Sequence, residues 1–431
     1  MSESTSGTGT TRREFFRKSS LAAAGALAGF SIIRNGYGQN ADEIRIGVIG
    51  CGGRGTGAAD NCLNSSPNIK LVAMADLYQD RLDSSYKNLT DPNRDSGALK
   101  GIEVDRDHMF VGFDAFEKLL ATDVDLVILA TPPGFRPVQF EAAVKAGKHI
   151  FTEKPVAVDP VGIRRFLAAG ELAKQKGLAV VAGTQRRHEQ GYLELMDMVH
   201  DGKIGEVVSA RAFWNGGGVW VHPRQADWND MEYQTRNWYY FCWLCGDHIV
   251  EQHVHNLDVV NWAMGGHPVK ALGNGGRQVR TGKDYGNAWD HFTIDYEYEN
   301  GAHMLSMCRH WEDADRQVAE FLQGTRGSTE TTGGRYILRG EQNWRFRGEQ
   351  VNPYVQEHTD LIASIRSGNP LNESESVAHA TMTAIMGRES AYTGKEVTWD
   401  EIMAGDLDLS PKALEWGPLA VRSIPMPGQP R

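Results

Sequence analysis

The apolar run Glu43–Ile49 (EIRIGVI) leads directly into Gly50-Cys51-Gly52-Gly53-Arg54-Gly55, a G-x-G-x-x-G. Ala58, Ala59, Cys62 and Leu63 then follow at helical spacing. Strand, glycine turn and helix in that order constrain the fold strongly. The glycines allow a tight turn, close approach to a pyrophosphate and close helix–strand packing, and the helix N-terminus offers unpaired N–H groups and a positive dipole to phosphate. By itself the glycine pattern is weak; its flanking elements give it weight. Ile69–Ala75 reads as a second buried strand, and Asp76 ends it, near the spacing of about 20 residues at which such folds carry a ribose-binding acid. An acid there holds the 2′-hydroxyl and repels a 2′-phosphate, which favours NAD over NADP, although Arg54 leaves NADP open.

The alternation continues. Asp125–Ala130 reads as a strand ending in Thr131-Pro132-Pro133, Phe140–Ala146 as a helix stopped by Gly147, and His149–Thr152 as a strand leading to Glu153-Lys154-Pro155. A helix over Gly162–Gln175 and a strand over Leu178–Ala182 complete a doubly wound parallel sheet, with its ligand beyond the strand carboxyl ends. Asp76, Thr131 and Lys154 all stand at such ends. From Val207 the pattern changes to period-2 alternation in Val207–Trp214, His291–Tyr298 and His303–His310, which predicts an antiparallel sheet. Pro353–Arg366 and Val377–Tyr392 read as helices. The expected fold class is therefore α/β: an N-terminal Rossmann-type sheet plus a C-terminal α+β domain with a mostly antiparallel open sheet. The expected boundaries are 1–40 signal and linker, 41–160 NAD-binding domain, 161–400 substrate-binding and oligomerisation domain (part of 161–185 completing the first), and 401–431 tail.

The chain has 431 residues, 41% of them hydrophobic and 23% charged, with a formal net charge of −10. That size suits two or three domains at roughly 100–200 residues each. The acidic balance, without basic runs, argues against nucleic-acid binding. No apolar run reaches the ~20 residues of a spanning helix, so no membrane insertion is expected. Five cysteines are too few and too scattered for a disulfide framework. Cys242-Trp243-Leu244-Cys245 has C-x-x-C spacing but lacks the second pair of a zinc ribbon, so the two read as buried thiols, with a local disulfide as the alternative.

At the N-terminus, Arg12-Arg13 precede a weakly apolar stretch, Leu21–Ile33, which leads to the small residues Gly36 and Gly38. Paired arginines, a short apolar region and a small-residue exit make a twin-arginine export signal, with the export machinery as a partner and an exported, periplasmic location.

Six of the eleven tryptophans cluster: Trp214, Trp220, Trp228, Trp238, Trp243 and Trp262. Aromatic faces among Asn, Asp, Gln and Arg suit a sugar or polyol, and core packing is the plain alternative. In Gly246–Asp258, read as one helix, His248, Glu251, His255 and Asp258 share a face. That stripe suits proton transfer, and its spacing is not that of a zinc motif, so no metal is expected. His255 can take a proton from a secondary alcohol, Glu251 can orient its imidazole, and Lys154 can stabilise the forming alkoxide.

Four pieces of sequence resemble the glucose–fructose oxidoreductase/inositol dehydrogenase (Gfo/Idh/MocA) family: the glycine motif, Ala130-Thr131-Pro132-Pro133, the run from Ala146-Gly147-Lys148-His149 into Glu153-Lys154-Pro155, and His255-Asn256-Leu257-Asp258 before Trp262. The resemblance spans about Ile44 to Trp399. It implies an NAD(P)-dependent oxidoreductase acting on sugars or cyclitols, with Lys154, Glu251 and His255 as catalytic residues. Cofactor contacts are expected from Gly50, Gly52, Gly53, Arg54, Gly55, Asp76, Thr131, Pro132, Glu153 and Lys154, and substrate contacts from Arg186, Arg187, Trp214 and Asp258. The chain departs from the family at Glu251 (usually Asp), His253 (usually Gly) and Arg136 (often His). A homo-oligomer is expected. Two other functions fit the same residues: glycoside cleavage or epimerisation by transient oxidation, and a non-catalytic sugar-binding relative.

Overall fold

In the computed structural model, which describes residues 42–93, 99 and 101–429, Ile44–Ile49 forms strand β1. The expected export signal lies outside the described residues. β1 is the pivot of a six-stranded sheet completed by β2 (Ile69–Asp76), β3 (Met109–Val111), β4 (Leu126–Leu129), β5 (His149–Thr152) and β6 (Val180–Ala182). The strand order is β3-β2-β1-β4-β5-β6, and every pair is parallel. Side chains alternate between the two faces of a strand. Ile44, Ile46 and Val48 therefore join one buried layer with Ala58, Ala59 and Cys62 of the helix Gly53–Ser65. Val127, Leu129 and Ile150 face the other layer, where Phe140 and Phe166 stack at 4.0 Å between the helices Arg136–Lys145 and Pro160–Gln175. Burial on both faces explains why these strands read as continuous apolar runs.

The second sheet has nine strands: β7 (Val207–Gly216), β8 (Lys270–Gly276), β9 (His291–Glu297), β10 (His303–His310), β11 (Gln317–Gly324), β12 (Ser328–Thr332), β13 (Arg335–Arg339), β14 (Trp344–Arg345) and β15 (Val397–Thr398). Their order is β14-β13-β12-β11-β7-β10-β9-β8-β15. All neighbours are antiparallel except β7 and β10, which run parallel through the centre. One face is buried against helices, with Ala212, Met304 and Ile294 in the core. The opposite face leaves Leu272 and Leu305 exposed.

The chain then returns to the first sheet. Leu361 and Ile362 of the helix Pro353–Arg366 enter the core beneath Ile44 and Ile46, and Thr359 Oγ1 donates to the Ser65 carbonyl at 3.3 Å. His188 clamps this helix, its Nδ1 2.6 Å from Asp360 and its Nε2 3.2 Å from Glu373. Burial opposes the charged imidazole there, yet the two carboxylates raise it to about 10. All five cysteines are buried thiols, Cys242 and Cys245 included, and Cys242 Sγ lies 3.3 Å from the Tyr392 hydroxyl. No helix among the described residues is long and apolar enough to cross a membrane.

Candidate active site

Strand order reverses between β1 and β4, and a cavity of about 1040 Å³ opens there beyond the carboxyl ends of the strands. Its first wall is the glycine loop. Gly50 has φ +99°, and a Cβ on it would meet the Thr131 nitrogen at 2.6 Å. A Cβ on Gly55 would lie 1.7 Å from the Gly50 carbonyl oxygen, so this helix can approach the strand only with glycine. Gly52 and Gly53 face open space. Gly52 caps the helix Gly53–Ser65 without any side-chain hydrogen bond, leaving first-turn N–H groups to the cavity. Asp76, at the end of β2, accepts from the Cys51 N–H at 2.6 Å and the Tyr78 N–H at 2.9 Å. Burial pushes its carboxyl up, while these two bonds and the charge of Arg81 pull it down. Open glycines, an uncapped helix start and an acid at the second strand fit a dinucleotide: Gly50–Gly55 would hold the pyrophosphate and Asp76 the ribose.

Arg81 also lines this end of the cavity and was missed by the sequence reading, whose candidate cation was Arg54. The guanidinium of Arg54 is instead gripped by Glu153 and, at 3.0 Å, by Glu357, and lies 5.1 Å over the Tyr354 ring. Its charge is spent on carboxylates of the protein, so Arg81 is the cation beside Asp76.

Arg136 ties two cavity loops together. It is buried, and it donates from Nη2 to the Thr131 carbonyl at 2.6 Å and from Nη1 to the Pro155 carbonyl. Burial lowers it to about 10. Thr131 is further fixed by its hydroxyl on Gln139 at 2.5 Å. Next to Pro155, Lys154 Nζ donates to the Glu251 carbonyl at 2.6 Å and to its Oε1 at 3.2 Å. Burial raises the Glu251 carboxyl, against the pull of Lys154, and its Oε2 has no hydrogen-bond partner among the described residues. His255 lines the same wall, its ring stacked on Trp214 with centroids 5.9 Å apart. Burial and the positive charges of Lys154, Arg186 and Arg54 push this imidazole well below its ordinary pKa, so it is neutral near pH 7.

The single helix expected over Gly246–Asp258 is two: His248–Glu251 and Val254–Met264, broken at Gln252–His253. At the break the His253 N–H reaches back to the His248 carbonyl at 3.2 Å, and its Nε2 bonds the Ser306 hydroxyl of β10 at 2.8 Å. The break disperses the expected stripe. His248 turns to Asp247 at 3.1 Å and to the His310 ring, outside the cavity. Glu251 holds Lys154, and no hydrogen bond joins it to His255 among the described residues, contrary to the orienting role expected for it.

Three of the four expected substrate contacts are likewise displaced from the main cavity. Arg187 and Asp258 form a bidentate pair at 2.8 and 2.9 Å, with Arg187 over Trp262, and neither lines the cavity. Arg186 pairs with buried Glu320 and borders a neighbouring polar cavity of about 860 Å³. Trp214 does line the main cavity, together with Trp220, Trp238 and Trp243 of the tryptophan cluster.

Family descriptions match both halves of the chain. That of the oxidoreductase family with an NAD-binding Rossmann fold covers residues 44–184, and that of the GFO/IDH/MocA C-terminal domain covers residues 192–330. An inositol 2-dehydrogenase of Klebsiella pneumoniae is 29% identical over 169 residues, 39% of this chain and 45% of that protein. A glycosyl hydrolase family 109 protein of Solibacter usitatus is 31% identical over 226 residues, 48% of this chain and 46% of that protein. The chain thus matches about half the length of these curated relatives. The crystal structure of an aldose-aldose oxidoreductase from Caulobacter crescentus superposes with a TM-score of 0.66 at 18% identity, covering 83% of this chain and all of that one, which shows a shared fold.

Proposed function

The chain belongs to the GFO/IDH/MocA oxidoreductase family, and on that footing we propose that it interconverts a secondary alcohol of a sugar or polyol and its ketone, using NAD with NADP as the lesser alternative. The observation that carries this is the meeting of Lys154, Glu251 and His255 on one wall of a cavity whose other end is the glycine loop. Bound there, the dinucleotide supplies the hydride acceptor or donor. The ammonium of Lys154 stabilises the alkoxide that develops as the hydroxyl loses its proton. Neutral His255 offers a lone pair to receive that proton. Glu251 acts through Lys154, whose ammonium it anchors by carbonyl and carboxylate. Trp214, Trp220 and Trp238 present apolar faces on which sugar C–H groups can stack.

A second reading, transient oxidation within one substrate so that a glycoside is cleaved or a centre inverted, is favoured by the likeness to the family 109 glycosyl hydrolase. One experiment separates the two. The protein is supplied with NAD and a panel of sugars, cyclitols and glycosides, and nicotinamide absorbance is followed beside product analysis. Reduced cofactor building up with a keto product supports the first reading. Product formed without net reduction supports the second. An unchanged panel refutes both.

Export by the twin-arginine route belongs to the same proposal and rests on Arg12-Arg13 before Leu21–Ile33. Free NAD is scarce outside the cytoplasm, so an exported enzyme of this kind has to carry its cofactor out in the folded state. Replacing Arg12 and Arg13 by Lys should leave the protein in the cytoplasmic fraction; unchanged export would refute this route.

A further inference from the structure

The described residues beyond the helix Trp399–Ala404 have no regular secondary structure and lie outside both family matches. Their course is pinned at intervals. The Leu409 N–H donates to Asp159 Oδ2 at 2.8 Å, and Leu409 itself is buried. The Gly417 carbonyl accepts from the Met231 N–H at 3.1 Å, the Leu419 N–H donates to Asp230 Oδ2 at 3.1 Å, and the Leu419 carbonyl accepts from Gln234 Nε2 at 2.7 Å. Both ends of this segment are therefore fastened, one to the first sheet's helical layer and one to the helix Asp230–Arg236.

At its first fastening and between the two, the segment faces the dinucleotide cavity. Asp408, Ser410, Pro411 and Leu414 line it. Trp416 then reaches the loops that follow β2 and β3, its ring 5.7 Å from Tyr78 and 4.9 Å from Phe113. Tyr78 is a firm landing point: Arg236 lies 3.8 Å from its ring centroid, and its hydroxyl bonds Thr235 Oγ1 at 2.5 Å. Tyr78 and Phe113 themselves line the cavity beside Asp76 and Arg81. The segment thus supplies a wall at the end of the cavity where Asp76 would hold the ribose.

We propose that residues 405–419 are a strap that completes the adenosine end of the dinucleotide site, with Trp416 as its latch, and that the strap slows release of the cofactor. The proposal rests on the cavity being a dinucleotide site. Cost and benefit are clear physically. A dinucleotide leaving past Leu414 has to displace a segment held by hydrogen bonds to its backbone and by the two aromatic contacts of Trp416. Loss of those two aromatic contacts, together worth about 1.4 kcal/mol, corresponds to roughly a tenfold change in rate.

The test is the dissociation rate of NADH from the full-length protein, measured by fluorescence after mixing with excess unlabelled NAD, for the native chain, Trp416→Ala, Leu414→Ser and Trp416→Phe. Trp416 and Leu414 are both partly exposed, so the variants should keep the thermal midpoint of the dinucleotide-free protein. Trp416→Ala and Leu414→Ser should release NADH about tenfold faster, and Trp416→Phe should recover most of the native rate. Release by Trp416→Ala within twofold of native, or tighter binding by that variant, would overturn the strap while leaving the cofactor reading intact. No NADH binding by the native chain would overturn both.

Discussion

Lys154 and His255 stand on one wall with opposite electrostatic roles, one a cation anchored by Glu251 and the other an imidazole kept neutral by burial and by that same cation. His253, two residues before His255, shows the price of such an environment more simply. It is fully buried, bonded to Ser306, and lowered to about 3, chiefly by burial and then by the neighbouring charges. A histidine whose folded pKa lies below its unfolded value binds more protons unfolded. Its contribution to stability is whole above about 6.5 and drains away as pH falls toward 3. His253→Gln, which can still bond Ser306, should flatten the fall of thermal midpoint between pH 6.5 and pH 4 relative to the native protein. An identical pH profile in the variant would contradict that assignment. Residue identity was legible at Lys154, Asp76 and Trp214 because each follows a strand end or aromatic cluster visible in the sequence. Arg81 was not, because nothing local distinguishes it from any other charge in a helix's first turn.

At the scale of elements, the strands of the parallel sheet were legible where both faces are buried, as in Leu126–Leu129, all four residues of which lie in the core. β3 escaped because its three residues, Met109–Val111, are each half-buried and short of any periodic signal. The expected helix over Gly246–Asp258 failed for a long-range reason: the break at Gln252–His253 is held by Ser306, on a strand more than fifty residues on. Helical periodicity alone sees no such contact, so it placed Glu251 and His255 on one continuous face. The same break frees Glu251 to serve Lys154, which turns a departure from the family's usual aspartate into a device for holding the lysine. Arg136 is comparable: where the family often has histidine, this chain places a buried guanidinium that ties the Thr131 loop to the Pro155 loop. The C-terminal strap, unreadable as an element because it has no regular secondary structure, is defined only by what it crosses.

For the molecule as a whole, the order of domains along the chain differs from their order in space, because the helix Pro353–Arg366 returns to pack beneath the first sheet. The dinucleotide cavity is consequently walled by both sheets' elements and by the strap, with β7 supplying Trp214 and the β5 loop supplying Lys154. This construction fits the proposal that the protein is exported folded with its cofactor in place. The central claim is that this cavity binds dinucleotide through one set of groups and moves the substrate proton through another. The most direct measurement pairs NADH affinity with single-turnover oxidation of the active sugar or polyol in the native protein, Lys154→Ala and His255→Ala. Both variants should bind NADH within a few-fold of native while losing oxidation by about 10²–10⁴-fold, the range of a missing proton-transfer or charge-stabilising group. Either variant turning over at the native rate would contradict the claim.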